Sequence, residues 1–340
     1  VPVEYDTSEA PTTSTAFTAA RPPPTDGRDY SLSDLTGPSA PRSFHLQEWD
    51  GRTTVPMVDS ENRVIIVLAG QPDVPDWPQV HEHAAAALEN AGSQLNTRKR
   101  RKKGQSQSNH RRGKFNVLNE GFAHGTGQKH PKNLRHNKSV ASVLADLKMN
   151  ASIIRIAHFA SAVFAAWAPR LFTYYLTALN ALLASDSSLV RNFTSSVWAA
   201  VAFNLGPQTV TWRHKDFLDL PFGWCCITAL GRFNYKKGGH LVLWDLGIII
   251  EFPPGATILI PSAIIEHSNT LISPGETRYS LTQYSAGGLF RWVEQGLQTQ
   301  DAQRASLDED GLIQLKEASK TRWANGLSYF STLDEISSTS

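Results

Sequence analysis

Cysteine is nearly absent from the chain. The two that occur, Cys225 and Cys226, are adjacent inside an apolar stretch. That excludes a disulfide framework and a cysteine-based zinc site, and makes a reducing compartment the simpler assumption. Long apolar runs are missing too. The most apolar stretch, Ala151–Leu183, is interrupted by Arg155, His158, Pro169 and Arg170. The uncharged pieces between them fall short of the roughly 18–20 residues of a membrane span, so core helices are expected there and no membrane partner. The first residues are rich in Ser, Thr and Pro without an apolar h-region, and no secretory signal is expected. Internal repeats are also lacking. What is present suits a folded chain: 340 residues, 41% apolar and 19% charged, enough for one large domain or two ordinary ones.

Acidic residues are lacking in one place above all. Between Arg98 and Lys138 stand 13 Lys/Arg against the single acid Glu120, although the net charge of the whole chain is only +2. An acidic body carrying one concentrated basic segment points to a polyanionic partner, with nucleic acid leading. Within it, Arg98, Lys99, Arg100, Arg101, Lys102 and Lys103 form an unbroken cationic run in a loop expected over 98–114. The run suits a phosphate-binding arm, a nuclear-import signal or a solvated linker. Residues 121–138 (GFAHGTGQKHPKNLRHNK) combine glycines, amides and cations, as a shaped loop would. Lys129 and Lys132 are its candidate phosphate contacts.

Residues 1–45, with Pro22-Pro23-Pro24 and few apolar side chains, are expected to be a disordered tail. Residues 46–300 read as a single domain, and 301–340 as a helical segment ending in a Ser/Thr tail. Arg63–Leu68 is strand-like, Val80–Leu95 helical, and Ser139–Lys148 and Ile153–Leu183 helical with a break at Pro169. Ser187–Leu205 is expected to hold a further short helix. From Thr209 short apolar runs alternate with Gly and Pro: Trp224–Leu230, His240–Trp244, Ile248–Phe252, Thr257–Ile260, Ile264–His267 and Arg278–Ser285. Strands at this spacing predict a β-sandwich or barrel, and the chain as a whole an α+β fold.

The chemistry concentrates in that β-stretch. His214-Lys215-Asp216 puts an imidazole and a carboxylate on one face of an extended segment, and His267 follows 53 residues later. Two histidines and one carboxylate make a facial triad, which leaves three positions open on a non-haem Fe(II) ion. Arg278 and Ser280, also two apart, suit a bidentate grip on a carboxylate with a hydroxyl assisting. A dicarboxylate co-substrate needs such a grip while its 2-oxo acid end chelates iron. His240, Trp212, Trp224 and Trp244 read as core residues.

With HKDFLD (214–219), GGHLVL (238–243), EHSN (266–269) and ETRYSLTQYS (276–285), the chain resembles the 2-oxoglutarate/Fe(II) dioxygenases. Within them it is most similar to the TET/JBP nucleic-acid modifying family, in its fungal transposon-associated branch. VDSENRVIIVLAG (58–70) and GFAHGTGQKHPKNL (121–134) extend the resemblance over roughly residues 50–295. It implies a double-stranded β-helix (jelly-roll) core flanked by helices, with iron on His214, Asp216 and His267 and 2-oxoglutarate on Arg278 and Ser280. It also implies that Asp219 contacts the target base and Tyr284 stacks on it. Asn133 is a candidate base or phosphate contact from the glycine-rich loop. The family's base-facing histidine, eight residues after the arginine, is replaced by Ala286, which puts base identity in doubt.

The expected activity is therefore oxidation of the methyl group of a modified base in DNA, with Fe(II) and 2-oxoglutarate as cofactors. The substrate would be 5-methylcytosine, and N6-methyladenine as a second one. The expected partner is duplex DNA with a flipped methylated base, and the expected location the nucleus. Three rivals remain: a protein hydroxylase on the same fold, a cupin-like metalloprotein (Gly255, Pro261, His267 and Asn269 echo a cupin half-motif), and a non-catalytic DNA-binding module.

Overall fold

The computed structural model describes residues 1–101, 112–125 and 127–339, and the side chains of all these except 96–101 and 339. In chain order the strands are β1 (His45–Gln47), β2 (Val55–Val58), β3 (Val64–Gly70), β4 (Asn116–Ala123), β5 (Lys132–Asn133) and β6 (Ala200–Leu205). They continue with β7 (Cys225–Arg232), β8 (Leu241–Leu243), β9 (Ile248–Ile250), β10 (Thr257–Ile260), β11 (His267–Asn269) and β12 (Thr277–Tyr284). The helices are α1 (Leu32–Thr36), α2 (Trp77–Arg101), α3 (Lys138–Met149), α4 (Ala151–Trp167), α5 (Pro169–Ser185), α6 (Gly287–Glu294), α7 (Gln300–Ala305), α8 (Glu309–Leu327) and α9 (Leu333–Thr339).

The strands form two sheets. The larger runs β2-β3-β10-β7-β12-β6-β4-β5 and the smaller β1-β9-β8-β11. Neighbours pair antiparallel except β1 and β9. β3 is buried at every position, because both of its faces are covered. Val64, Val67 and Ala69 join Phe164 of α4 and Tyr175 of α5 in one apolar cluster. Ile65, Ile66 and Leu68 pack in another with Leu241, Leu243, Ile248 and Ile250 of the smaller sheet. The two sheets thus share one core and helices cover the far side of the larger. A third cluster seats Val80, Ala84 and Leu88 of α2 against Val201 and Phe203 of β6 and Leu281 of β12. This is a mixed α+β architecture.

The helix boundaries follow local chemistry. Asn137 caps α3 by accepting from the Ser139 and Val140 N–H groups, and Asn150 caps α4 by accepting from Ile153. α4 buries Ile153, Ile156, Ala157, Ala160 and Phe164, a spacing of three and four. Pro169 is the first residue of α5, where its missing N–H costs nothing, so the expected break is a clean restart. Among the described residues, no single helix is long and apolar enough to cross a membrane.

Several expectations are corrected. Residues 1–45 are not a disordered tail: Phe17 is 4% and Leu35 0% exposed. The segment has no core of its own but borrows the domain's. The Val3 N–H donates to Val58 at 2.8 Å, Ala19 to Phe217 at 2.9 Å, and Leu271 to Tyr30 at 2.8 Å. The basic loop expected from residue 98 does not start there, since Arg98, Lys99, Arg100 and Arg101 continue the backbone of α2; Lys102 and Lys103 lie outside the described residues. Ser187–Leu205 holds no helix. Its apolar end is β6, buried on both faces between β12 and β4, a setting that overrides the helical propensity of its alanines. The 121–138 loop starts inside β4 and returns through β5. The C-terminal Ser/Thr residues close in α9.

Candidate metal and co-substrate site

His214 and His267 lie opposite one another in an antiparallel bridge. The His214 N–H donates to the His267 carbonyl at 3.0 Å, and the His267 N–H returns the bond at 2.9 Å. The ring centroids are 4.3 Å apart. Asp216 follows two residues after His214 and is anchored by its own N–H, which donates to the Ser262 carbonyl at 2.9 Å. Its two carboxylate oxygens each lie 4.0 Å from one imidazole Nε2. All three side chains are buried, with one ligand atom from each within 4.8 Å of the others. The strand pairing thus brings together what the sequence separates by 53 residues.

Both imidazoles are oriented from behind. His214 Nδ1 lies 2.6 Å from the Trp212 carbonyl and His267 Nδ1 lies 2.9 Å from the Ile265 carbonyl. A carbonyl only accepts, so each Nδ1 carries the proton and each Nε2 keeps its lone pair for a metal. Burial pushes both pKa values below the usual histidine range, which keeps the rings neutral. Two neutral imidazoles and a carboxylate are the donor set of a facial Fe(II) site. Arg112 pairs with Asp216. It is carried there by the Trp212 N–H, which donates to the Arg112 carbonyl at 2.7 Å, and by a Gly113–Thr211 bridge. Sequence reasoning left Arg112 in the basic loop without a role.

The co-substrate end is built on β12, whose alternate residues share a face. Arg278 is 1% exposed. Its Nη1 donates to the Thr209 carbonyl at 2.8 Å, while Nε and Nη2 are buried without a partner among the described residues. Loss of hydration pulls its pKa down to about 10, still charged at neutral pH. A buried guanidinium with two open donors fits an incoming carboxylate. Ser280 accepts from Asn204 Nδ2 at 2.9 Å, which leaves its own hydroxyl proton to donate.

His240, read as a core residue, is fully buried, and it lies close enough to Arg278 to feel its charge. Its Nδ1 meets Thr270 Oγ1 at 2.8 Å, its Nε2 is buried without a partner, and burial together with Arg278 lowers its pKa to about 4. GGHLVL held the signal, since adjacent glycines let the chain pass close: a side chain at Gly239 would meet Phe233 and Arg278. A narrow cavity bounded by Arg112, Asn204, His214, Asp216, His267 and Ser280 joins the metal cluster to Ser280, while Arg278 and His240 lie outside its lining. These residues fit Fe(II) and 2-oxoglutarate.

Of the residues expected to face a base, two are at the site. Asp219 bridges to Ala286, and burial followed by the Asp219 charge pushes the Tyr284 hydroxyl above its usual range. The Tyr284 hydroxyl donates to Asn119 Oδ1 at 3.3 Å, so β4 supplies an amide that sequence reasoning missed. Asn133 is not among them. Its Nδ2 donates to the Ser188 carbonyl at 2.6 Å and its Oδ1 accepts from the Val190 N–H at 3.1 Å, which staples β5 to the loop after α5. Both ends of the amide are thereby engaged within the protein. Lys129 and Lys132 are exposed.

Several solved structures resemble the chain, two of them as follows. One is NgTET1 in complex with 5mC DNA, 14% identical over 72% of this chain and 83% of that one, with a TM-score of 0.46. The other is an oxidoreductase of the 2OG-Fe(II) oxygenase family from Burkholderia pseudomallei, 15% identical over 59% and 88%, with a TM-score of 0.29. No protein-family model and no curated protein matches the sequence.

Proposed function

We propose that the chain is a 2-oxoglutarate- and Fe(II)-dependent dioxygenase acting on the methyl group of a modified base in DNA. We place it in the TET/JBP family, in the fungal transposon-associated branch, with the paired sheets as its jelly-roll core. One observation carries the reading: a buried His–Asp–His cluster and a buried arginine with two open donors belong to one β-framework. Bound iron would supply the oxidising chemistry, together with dioxygen and 2-oxoglutarate. His214, Asp216 and His267 would hold the metal. Arg278, Ser280 and His240 would hold the far carboxylate, which a cupin-like metalloprotein without this co-substrate would not need. Asp219, Tyr284 and Asn119 would meet the base.

The DNA part rests on charge, namely 13 Lys/Arg against one acid over residues 98–138. Arg98–Lys103, Lys129 and Lys132 would offset the few kcal/mol of unstacking that flipping a base costs. The same Arg98–Lys103 run and a DNA substrate favour a nuclear location. 5-Methylcytosine is the proposed substrate and N6-methyladenine a second one, because Asp219 can accept from an exocyclic amine and Ala286 leaves room beside it.

The test is mass spectrometry of nucleosides after incubation with Fe(II), 2-oxoglutarate and DNA carrying either methylated base. Hydroxymethylation or loss of the methyl group, in step with succinate, is expected. Succinate formed while both bases stay intact overturns the DNA assignment. No succinate under any condition overturns the dioxygenase itself.

A further inference from the structure

The C-terminal helices border a second, solvent-open cavity, of about 440 Å³, between α6, α7, α8 and residues 14–17. It shares no lining residue with the metal cavity. Four cations line it, Arg291, Arg304, Lys316 and Arg322, against one acid, Glu294. That acid is already engaged. Its Oε2 accepts from Arg322 Nε at 2.9 Å and its Oε1 from the Tyr174 hydroxyl at 2.8 Å. Arg322 is held further by the Thr15 carbonyl at 3.0 Å and by the Phe17 ring, 4.2 Å away. Arg291, Arg304 and Lys316 therefore face the cavity with no acidic partner among the described residues.

The sequence around these cations makes their placement more telling. Residues 301–317 contain Asp301, Asp308, Glu309, Asp310 and Glu317, yet none of them lines the cavity. Asp308 caps α8 and Glu317 pairs with Lys320. Cations collect on the cavity side and the acids of 301–317 elsewhere, which concentrates positive potential at an open surface pocket. The rest of the lining is mixed. Leu312 and Leu315 supply apolar surface, and Gln303 brings a buried Oε1 that lacks a donor.

We infer that this cavity binds a compact phosphate-bearing small molecule of the nucleoside-phosphate class. Arg291, Arg304 and Lys316 would meet the phosphates, the leucines would meet the base, and Gln303 would accept from a hydroxyl or amine. Its volume falls within the range of small-molecule sites. An extended nucleic-acid strand fits worse, because the outward acids of α7 and α8 would repel its flanking phosphates.

The experiment uses the full chain with ADP, inorganic phosphate and short duplex DNA as separate probes, read by calorimetry and thermal midpoint. ADP is expected to bind and raise the midpoint, and phosphate to compete with it. The exposed-site double variant Arg304→Glu/Lys316→Glu should fold normally by circular dichroism and bind ADP about tenfold more weakly or worse. Failure of ADP to bind at millimolar concentration overturns the inference. So does equal binding by the double variant, or a variant that loses DNA affinity alone. Arg278→Met, on β12 and outside this cavity, should leave ADP binding unchanged, so the two sites are tested separately.

Discussion

Arg278 is the residue on which most depends. A charged side chain that is 1% exposed with two open donors is destabilising until an anion arrives. Arg278→Met should therefore leave the thermal midpoint of the ligand-free protein unchanged or higher. It should also abolish the rise that 2-oxoglutarate produces in wild type, a loss of roughly 2–4 kcal/mol in binding. A midpoint that falls while the 2-oxoglutarate response survives would assign Arg278 to the core instead. Asp219→Ala separates base recognition from metal binding: turnover at limiting DNA should fall while Fe(II) affinity holds, and undiminished turnover would count against the assignment. His240 sets a pH dependence. Its folded pKa of about 4 lies below the ordinary value of 6.5, so on acidification the unfolded chain binds the proton first. The contribution is fully present above 6.5 and is lost as pH falls towards 4, up to about 3 kcal/mol. His214 and His267 shift in the same direction. Unfolding in denaturant across this window should show the slope, and His240→Gln should make it shallower.

Single elements carry several roles through periodicity. Arg278, Ser280, Thr282 and Tyr284 are alternate residues of β12, and Asn204 of β6 reaches both Ser280 and Thr282. One face of one strand thus carries Arg278, Ser280, Thr282 and Tyr284, while Tyr279 and Leu281 pack under the helices. That alternation is legible in the sequence, which places Arg278 and Ser280 two apart and Tyr284 four further on. β4 was not legible: NVLNEGFA mixes amides and an acid with its apolar residues and reads as loop until β6 pairs with it. Asn119 was missed for that reason. α2 shows the reverse error, since a run of six cations looked too polar to continue a helix. Its backbone does continue to Arg101, because lysine and arginine are good helix formers when the apolar stripe before them is anchored. Neutralising Arg98–Lys103 should flatten the salt dependence of DNA affinity while turnover on short, saturating substrate holds. An unchanged slope would remove these residues from the proposed interface.

At the scale of the whole molecule, residues 1–36 act as a strap along the segment that carries the metal ligands. The Ala19 N–H reaches the Phe217 carbonyl at 2.9 Å, and Asp29 accepts from Trp212 Nε1 at 2.8 Å. Deleting residues 1–36 should lower the thermal midpoint by several degrees and weaken Fe(II) binding, measured by titration under anaerobic conditions. A truncated chain with wild-type metal affinity would make the strap a covering only. The sequence by itself determined the donor atoms, their order and their spacing within each strand, because two-residue alternation is a property of any extended chain. It also determined most strands of the C-terminal half and the helices on either side of Pro169, since their apolar periodicity is local. Only the tertiary structure decided that His267 lies opposite His214, that Arg112 reaches Asp216, and that the amide beside Tyr284 is Asn119 and not Asn133. Each of these is a contact between residues distant in the chain, set by which strands pair and in what register. The fate of residues 1–45 was decided in the same way: their few apolar side chains suffice only because the folded domain provides the slots that bury them.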